Sequence, residues 1–96
     1  MAGGNEFTMK EAIAQLIKSY RMDDKMLELQ LGEIWRELMG KMIASKTTGV
    51  YYKNRILAVQ VNSAPLRNEL MMIRSEILER LNEKLGVKLI DEIQIR

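Results

Sequence analysis

Apolar residues recur first at helical spacing, then alternate as in a strand, then return to helical spacing before a last short alternation. Ile13, Leu16, Ile17 and Tyr20 share one face of a first helix. It opens at a capping box, in which the Thr8 hydroxyl takes a backbone N–H and Glu11 reaches back. Arg21 and Met22 interrupt the pattern, and Asp23 or Asp24 caps a second helix over residues 25–39. There Leu27, Leu31, Ile34, Trp35 and Leu38 form a buried stripe, and Gly40 stops the helix. Gly32 costs about 1 kcal/mol inside a helix, and close packing at this point would explain its presence.

The strongest local feature is a hairpin. With Asn54 and Arg55 as a two-residue turn, Tyr52 pairs with Leu57, Val50 with Val59 and Thr48 with Val61. Alternation puts those six side chains on one mostly apolar face, toward the helices. Gly49, Tyr51, Lys53, Ile56, Ala58 and Gln60 take the other face, which is free to stay open. Arg55 must accept positive φ in such a turn, so a slightly longer loop is the alternative. Asn62 or Ser63 then caps a third helix, with Pro65 in its first turn, where a missing N–H does no harm. Leu66, Leu70, Ile73, Ile77, Leu81 and Leu85 run along it as one stripe to Gly86. Residues 87–96 read as a final strand, with Ile93 and Ile95 alternating against Glu92, Gln94 and Arg96. The expected architecture is α+β in the order α-α-β-β-α-β, with three helices on one face of a small three-stranded sheet. Residues 1–6 read as a flexible lead-in and residues 7–96 as a single domain.

Composition narrows the chemistry. The chain of 96 residues has no cysteine and no histidine. Relays of the Ser-His-Asp or Cys-His type are therefore excluded, as are His- or Cys-ligated metals. The carboxylates fall mostly on solvated helix faces, so no catalytic residues, no metal site and no cofactor are expected. No apolar run approaches the roughly 20 residues of a membrane span, and a signal peptide's apolar region is missing. No membrane association and a cytoplasmic location are the expectation.

Charge changes the picture most. Lys41, Lys46, Lys53, Arg55, Arg67 and Arg74 face only Glu69 in residues 41–74, a local charge of +5 in a chain whose formal charge is +2. A basic middle between acidic flanks points to a polyanion, and these six residues are the candidate nucleic-acid contacts. Arg67 and Arg74 stand two turns apart near one helix face. Trp35 belongs to the core stripe rather than to an interface. Tyr52 falls on the core side, leaving Tyr51 as a single exposed aromatic beside Lys53. Met71 and Met72 are adjacent, so at least one points away from the third helix's stripe. Together with Tyr51 and Ile56 they are the candidate contacts to a protein partner.

Trp35 and Gly40, the threonines at the hairpin's start, Leu57 to Val61, Ser63 leading to Leu66-Arg67-Asn68-Glu69-Leu70, Leu81-Asn82, Gly86 and a closing Ile-x-Ile-Arg at Ile93 to Arg96 follow one another in order. This combination resembles the DciA family of bacterial replicative-helicase loaders, long described as a domain of unknown function. The resemblance covers roughly residues 27–96. It implies a domain similar to type II KH folds, a DnaB-type replicative helicase as partner, and weak binding of single- or double-stranded DNA. Many members carry a further basic or flexible extension, a reason to expect weak binding by this domain alone. A KH domain clamps the nucleic-acid backbone with a GxxG loop. Here residues 19–24 (SYRMDD) supply no glycine and two acids, so that clamp is not expected. The leading expectation is a non-enzymatic DNA-replication adaptor. The alternative is a protein-interaction or homodimerisation module that meets its partner through Tyr51, Ile56 and Ala58 or through a sheet edge.

Overall fold

The sheet is built outward from its hairpin. In the structure, a computed structural model that describes residues 24–96, β1 (Thr47–Lys53) and β2 (Ile56–Val61) pair antiparallel, and β3 (Glu92–Ile95) lies parallel on the far side of β2. Asn54 and Arg55 both take positive φ, 52° and 65°, so the two-residue turn forms despite the arginine. Tyr52 faces Leu57 and Val50 faces Val59 as expected. The predicted first helix, its Thr8–Glu11 capping box, the 1–6 lead-in and all but the last residue of the 19–24 loop lie outside the described residues.

The pairing of Thr48 with Val61 is corrected. Thr47 stands opposite Val61 and Gly49 opposite Gln60, so Thr48 is the extra residue of a β-bulge. Its exposed hydroxyl donates to the Gln60 carbonyl at 3.2 Å. The cause is visible at Thr47, whose Oγ1 accepts from the Trp35 indole N–H at 3.0 Å and donates to the Ile43 carbonyl at 2.8 Å. Trp35 has no exposed surface, and a buried indole N–H without an acceptor is costly.

Helix α1 (Asp24–Met39) carries the foreseen stripe: Leu27, Leu31, Ile34 and Trp35 are buried against β1, and Leu38 packs at the cluster's margin. Gly40 ends it at φ 91°, ψ 172°, a conformation that glycine alone tolerates well. A single helical turn, α2 (Lys41–Ser45), then leads into β1. Five residues show too little periodicity to predict such a turn.

The third predicted helix is two. Ser63 caps α3 (Ala64–Met72), its hydroxyl accepting from the Leu66 N–H at 3.3 Å, and α4 (Arg74–Leu85) follows. Ile73 breaks the rod at φ −114° and is 45% exposed, whereas Leu66, Leu70, Ile77, Leu81 and Leu85 are buried. A straight helix over this span would be about 33 Å long. The break divides that length into two segments that both pack on the sheet, α3 against β2 and β3 and α4 against β3. Gly86 caps α4 in the left-handed conformation at φ 80°. The last strand is shorter than expected, because residues 87–91 form a loop against α4 rather than extending β3. Ile93 and Ile95 point into the core, as their alternation predicted. Among the described residues, four helices thus cover one face of a mixed sheet, and the other face is bare.

Candidate nucleic-acid interface

The six candidate cations do not form one patch. Lys46 and Lys53 bracket β1, seven residues and about 23 Å apart. Lys53 lies at the hairpin tip, exposed, on the bare face. Lys46 closes α2 at the opposite end, where its carbonyl accepts from the Asn62 N–H at 2.9 Å. Arg67 belongs to that same end: its Nη2 donates to the Val61 carbonyl at 3.4 Å, and Val61 pairs with Thr47. Arg67 is half-buried, and its Nε has no hydrogen-bond partner. Lys41 and Arg74 open α2 and α4 and are both exposed. Neither lines the shallow cleft that lies between Leu38 and Met39 on one side and Ile73, Glu76, Ile77 and Arg80 on the other.

Arg55 is engaged within the fold. Its Nε donates to Asp91 Oδ2 at 2.9 Å, while Nη2 donates to Asp91 Oδ1 at 3.3 Å and to the Lys88 carbonyl. The Asp91 N–H returns to the Arg55 carbonyl at 2.7 Å. The hydrogen bond from Arg55 holds the Asp91 carboxyl below the usual carboxylate range, and the same bond raises the guanidinium's pKa. Arg55 therefore ties the hairpin tip to the loop before β3. Lys41, Lys46, Lys53 and Arg74 take part in no ion pair among the described residues.

The bare face supplies a cation that sequence reasoning passed over. Arg96 follows Ile95 and so turns away from the core. Its N–H donates to the Val59 carbonyl at 2.8 Å, and its carbonyl accepts from Val61 at 2.9 Å, which fixes it beside Gln60. Its Nη2 donates to Gln94 Oε1 at 2.9 Å. The signal was present in the Ile93–Ile95 alternation, but Arg96 lies outside the 41–74 charge cluster. On the same face Tyr51 is 47% exposed and Ile56 half-buried, whereas Ala58 is enclosed by its cross-strand neighbours Tyr51 and Gln94.

Met71 and Met72 are both exposed, Met72 at 84%, and Ile73 continues the apolar run. Among the described residues, no cluster of acids could hold a metal ion, and no helix is long and apolar enough to cross a membrane. Comparison with curated proteins and with solved structures returns no match. A family model does match, under the description "Dna[CI] antecedent, DciA", and spans residues 8–95. The chain belongs to the DciA family.

Proposed function

We propose that this protein is a non-enzymatic, cytoplasmic adaptor of DNA replication that engages a DnaB-type replicative helicase and binds DNA weakly through exposed cations. The observation that carries the reading is the family match over residues 8–95, since the family implies a helicase-loader-type role. The kinship with type II KH domains belongs to the same proposal and is supported by a mixed three-stranded sheet covered by helices on one face.

The nucleic-acid half of the reading draws on Lys41, Lys46, Lys53 and Arg74, all exposed and outside the ion pairs of the described residues. Arg67 supports them from the Lys46 end, and Arg55 contributes field rather than a free guanidinium. Four phosphates neutralised on a single strand give a logarithmic salt slope near −3, or about a fiftyfold loss of affinity from 50 to 200 mM salt. Fluorescence anisotropy of a labelled single-stranded oligonucleotide across a salt series measures it. No binding at low salt, or a flat response, refutes the DNA half. Failure to co-purify with the cognate replicative helicase refutes the adaptor half.

Exposed Met71, Met72 and Ile73 favour a protein-contact role for the α3–α4 junction. The helicase is the partner proposed for it. A homodimer that buried this junction would appear as a concentration-dependent mass in sedimentation.

A further inference from the structure

On the bare face, the strand register arranges side chains in three rows. Lys53, Ile56 and Glu92 form one; Tyr51, Ala58 and Gln94 the next; Gly49, Gln60 and Arg96 the third. The middle row holds an aromatic ring in an unusual pose. A Cβ on Gly49 would stand 2.5 Å from Tyr51 Oη and 2.8 Å from Cε2 and Cζ. The tip of the ring therefore overhangs Gly49, in space that only a missing side chain leaves open. Its hydroxyl reaches toward Gln60 Oε1 at 3.5 Å. The residue remains 47% exposed, so part of the ring is open to solvent.

Beside the ring is a shallow depression floored by Ile56 and Ala58. The Asn54 and Gln94 amides edge it, and Lys53 and Arg96 border it. Gln94 Oε1 holds the Arg96 guanidinium at 2.9 Å. The face's acid, Glu92, is turned toward Gln94, with its Oε2 at 3.5 Å from Gln94 Nε2.

We propose that this depression receives an unpaired base of single-stranded DNA, stacked on Tyr51, with the neighbouring phosphates taken by Lys53 and Arg96. The inference rests on the nucleic-acid reading above and gives it a place and a strand preference. An aromatic ring open to solvent can stack on the face of any base, which makes the contact tolerant of sequence. Amides at the rim can donate to and accept from base edges. The two cations occupy the rows on either side of the ring. A duplex hides its base faces in the stack and gains only the phosphate contacts.

The test is anisotropy at low salt with a labelled oligothymidylate and with a duplex of equal length. It compares the wild type with Tyr51→Phe, Tyr51→Leu and Arg96→Gln, and circular dichroism checks each fold. Phenylalanine keeps the ring, and single-strand affinity stays within about twofold of wild type. Leucine still covers Gly49 but has no π face, and single-strand affinity falls roughly five- to hundredfold while duplex affinity barely moves. Arg96→Gln reduces the salt slope by about 0.7. If the wild type binds and Tyr51→Leu binds equally well, this site is wrong while the nucleic-acid reading stands. A wild type that binds no oligonucleotide overturns both. Amide shifts of the wild type on titration with oligothymidylate give a readout that needs no variant. They should concentrate at Tyr51, Ala58 and Gln94, and shifts confined to Lys41, Lys46 and Arg74 overturn the proposal.

Discussion

Replacing Asn82 with alanine should destabilise the domain by about 2–4 kcal/mol, although the residue lies on a helix and carries no charge. Its amide does three things at once. Nδ2 donates to the Ile90 carbonyl at 2.9 Å, and Oδ1 accepts from the Leu89 and Ile90 N–H groups at 3.0 and 3.1 Å. These bonds fasten the 87–91 loop to α4, and they hold Ile90, which is fully buried, in the core. The Leu89 N–H also reaches the Val87 carbonyl at 3.0 Å, so truncation leaves it a partner. The Ile90 N–H has no such second acceptor. Its orphaning costs about 1–3 kcal/mol, and the lost bond to the Ile90 carbonyl adds about 1 kcal/mol.

Aspartate at position 82 keeps the acceptor and loses the donor, so it should cost less than alanine. Urea unfolding followed by Trp35 fluorescence reads both changes as a shift in midpoint at constant slope. A domain this small typically has about 5–10 kcal/mol in total, so the alanine loss is a large share of it. A thermal midpoint would fall by about 4–8 °C for each kcal/mol. An Asn82→Ala variant within about 0.5 kcal/mol of wild type would refute the reasoning, because the loop would then be held by its apolar residues alone.

Three further substitutions probe other joints. Ile73→Ala should change stability by less than about 1 kcal/mol, whereas Ile77→Ala should cost about 2–4 kcal/mol, since only Ile77 is buried. Equal losses in urea unfolding would show a continuous helix with both residues in the core. Asp91→Asn addresses pH. The Asp91 carboxyl is lowered by its hydrogen bond to Arg55, so the pair's contribution is present above the unfolded value of about 3.9 and fades as pH falls through the folded value. Wild type should therefore exceed Asp91→Asn in stability at neutral pH by a small margin that closes in acid. A gap that persists or widens below that range contradicts the assignment.

The hairpin was legible because two independent signals agreed. Alternation from Val50 to Val61 set the faces, and Asn54 marked the turn. The α1 stripe was legible for the same reason, as it repeats over four turns. What escaped depends on distance. The bulge at Thr48 answers to Trp35, twelve residues away from the threonine it serves. Arg55 looked like a free cation, since its partner Asp91 lies 36 residues further on. The break at Ile73 was masked by an apolar residue at the position a continuous stripe would demand. Of the candidate site, the cations were visible as composition, but their separation into two ends of the sheet required the register. Arg96 was hidden by the same gap, because its place beside Gln60 follows from the parallel pairing of β3.

The bulge also explains how one short strand satisfies both faces. Counting back by twos from buried Tyr52 puts Val50 and Thr48 toward the helices and Thr47 toward the bare face. The indole of Trp35 needs a hydroxyl at Thr47, and one extra residue inverts the parity there without disturbing anything nearer the turn. Gly49 and Tyr51 keep their outward positions, and the ring keeps its seat on the glycine. Were the bulge placed after Gly49 instead, Gly49 would turn inward and the ring would lose its floor. The register shift lies between Thr47 and Gly49, the one stretch of β1 where it supplies the core's hydrogen bond and leaves the Tyr51 surface intact.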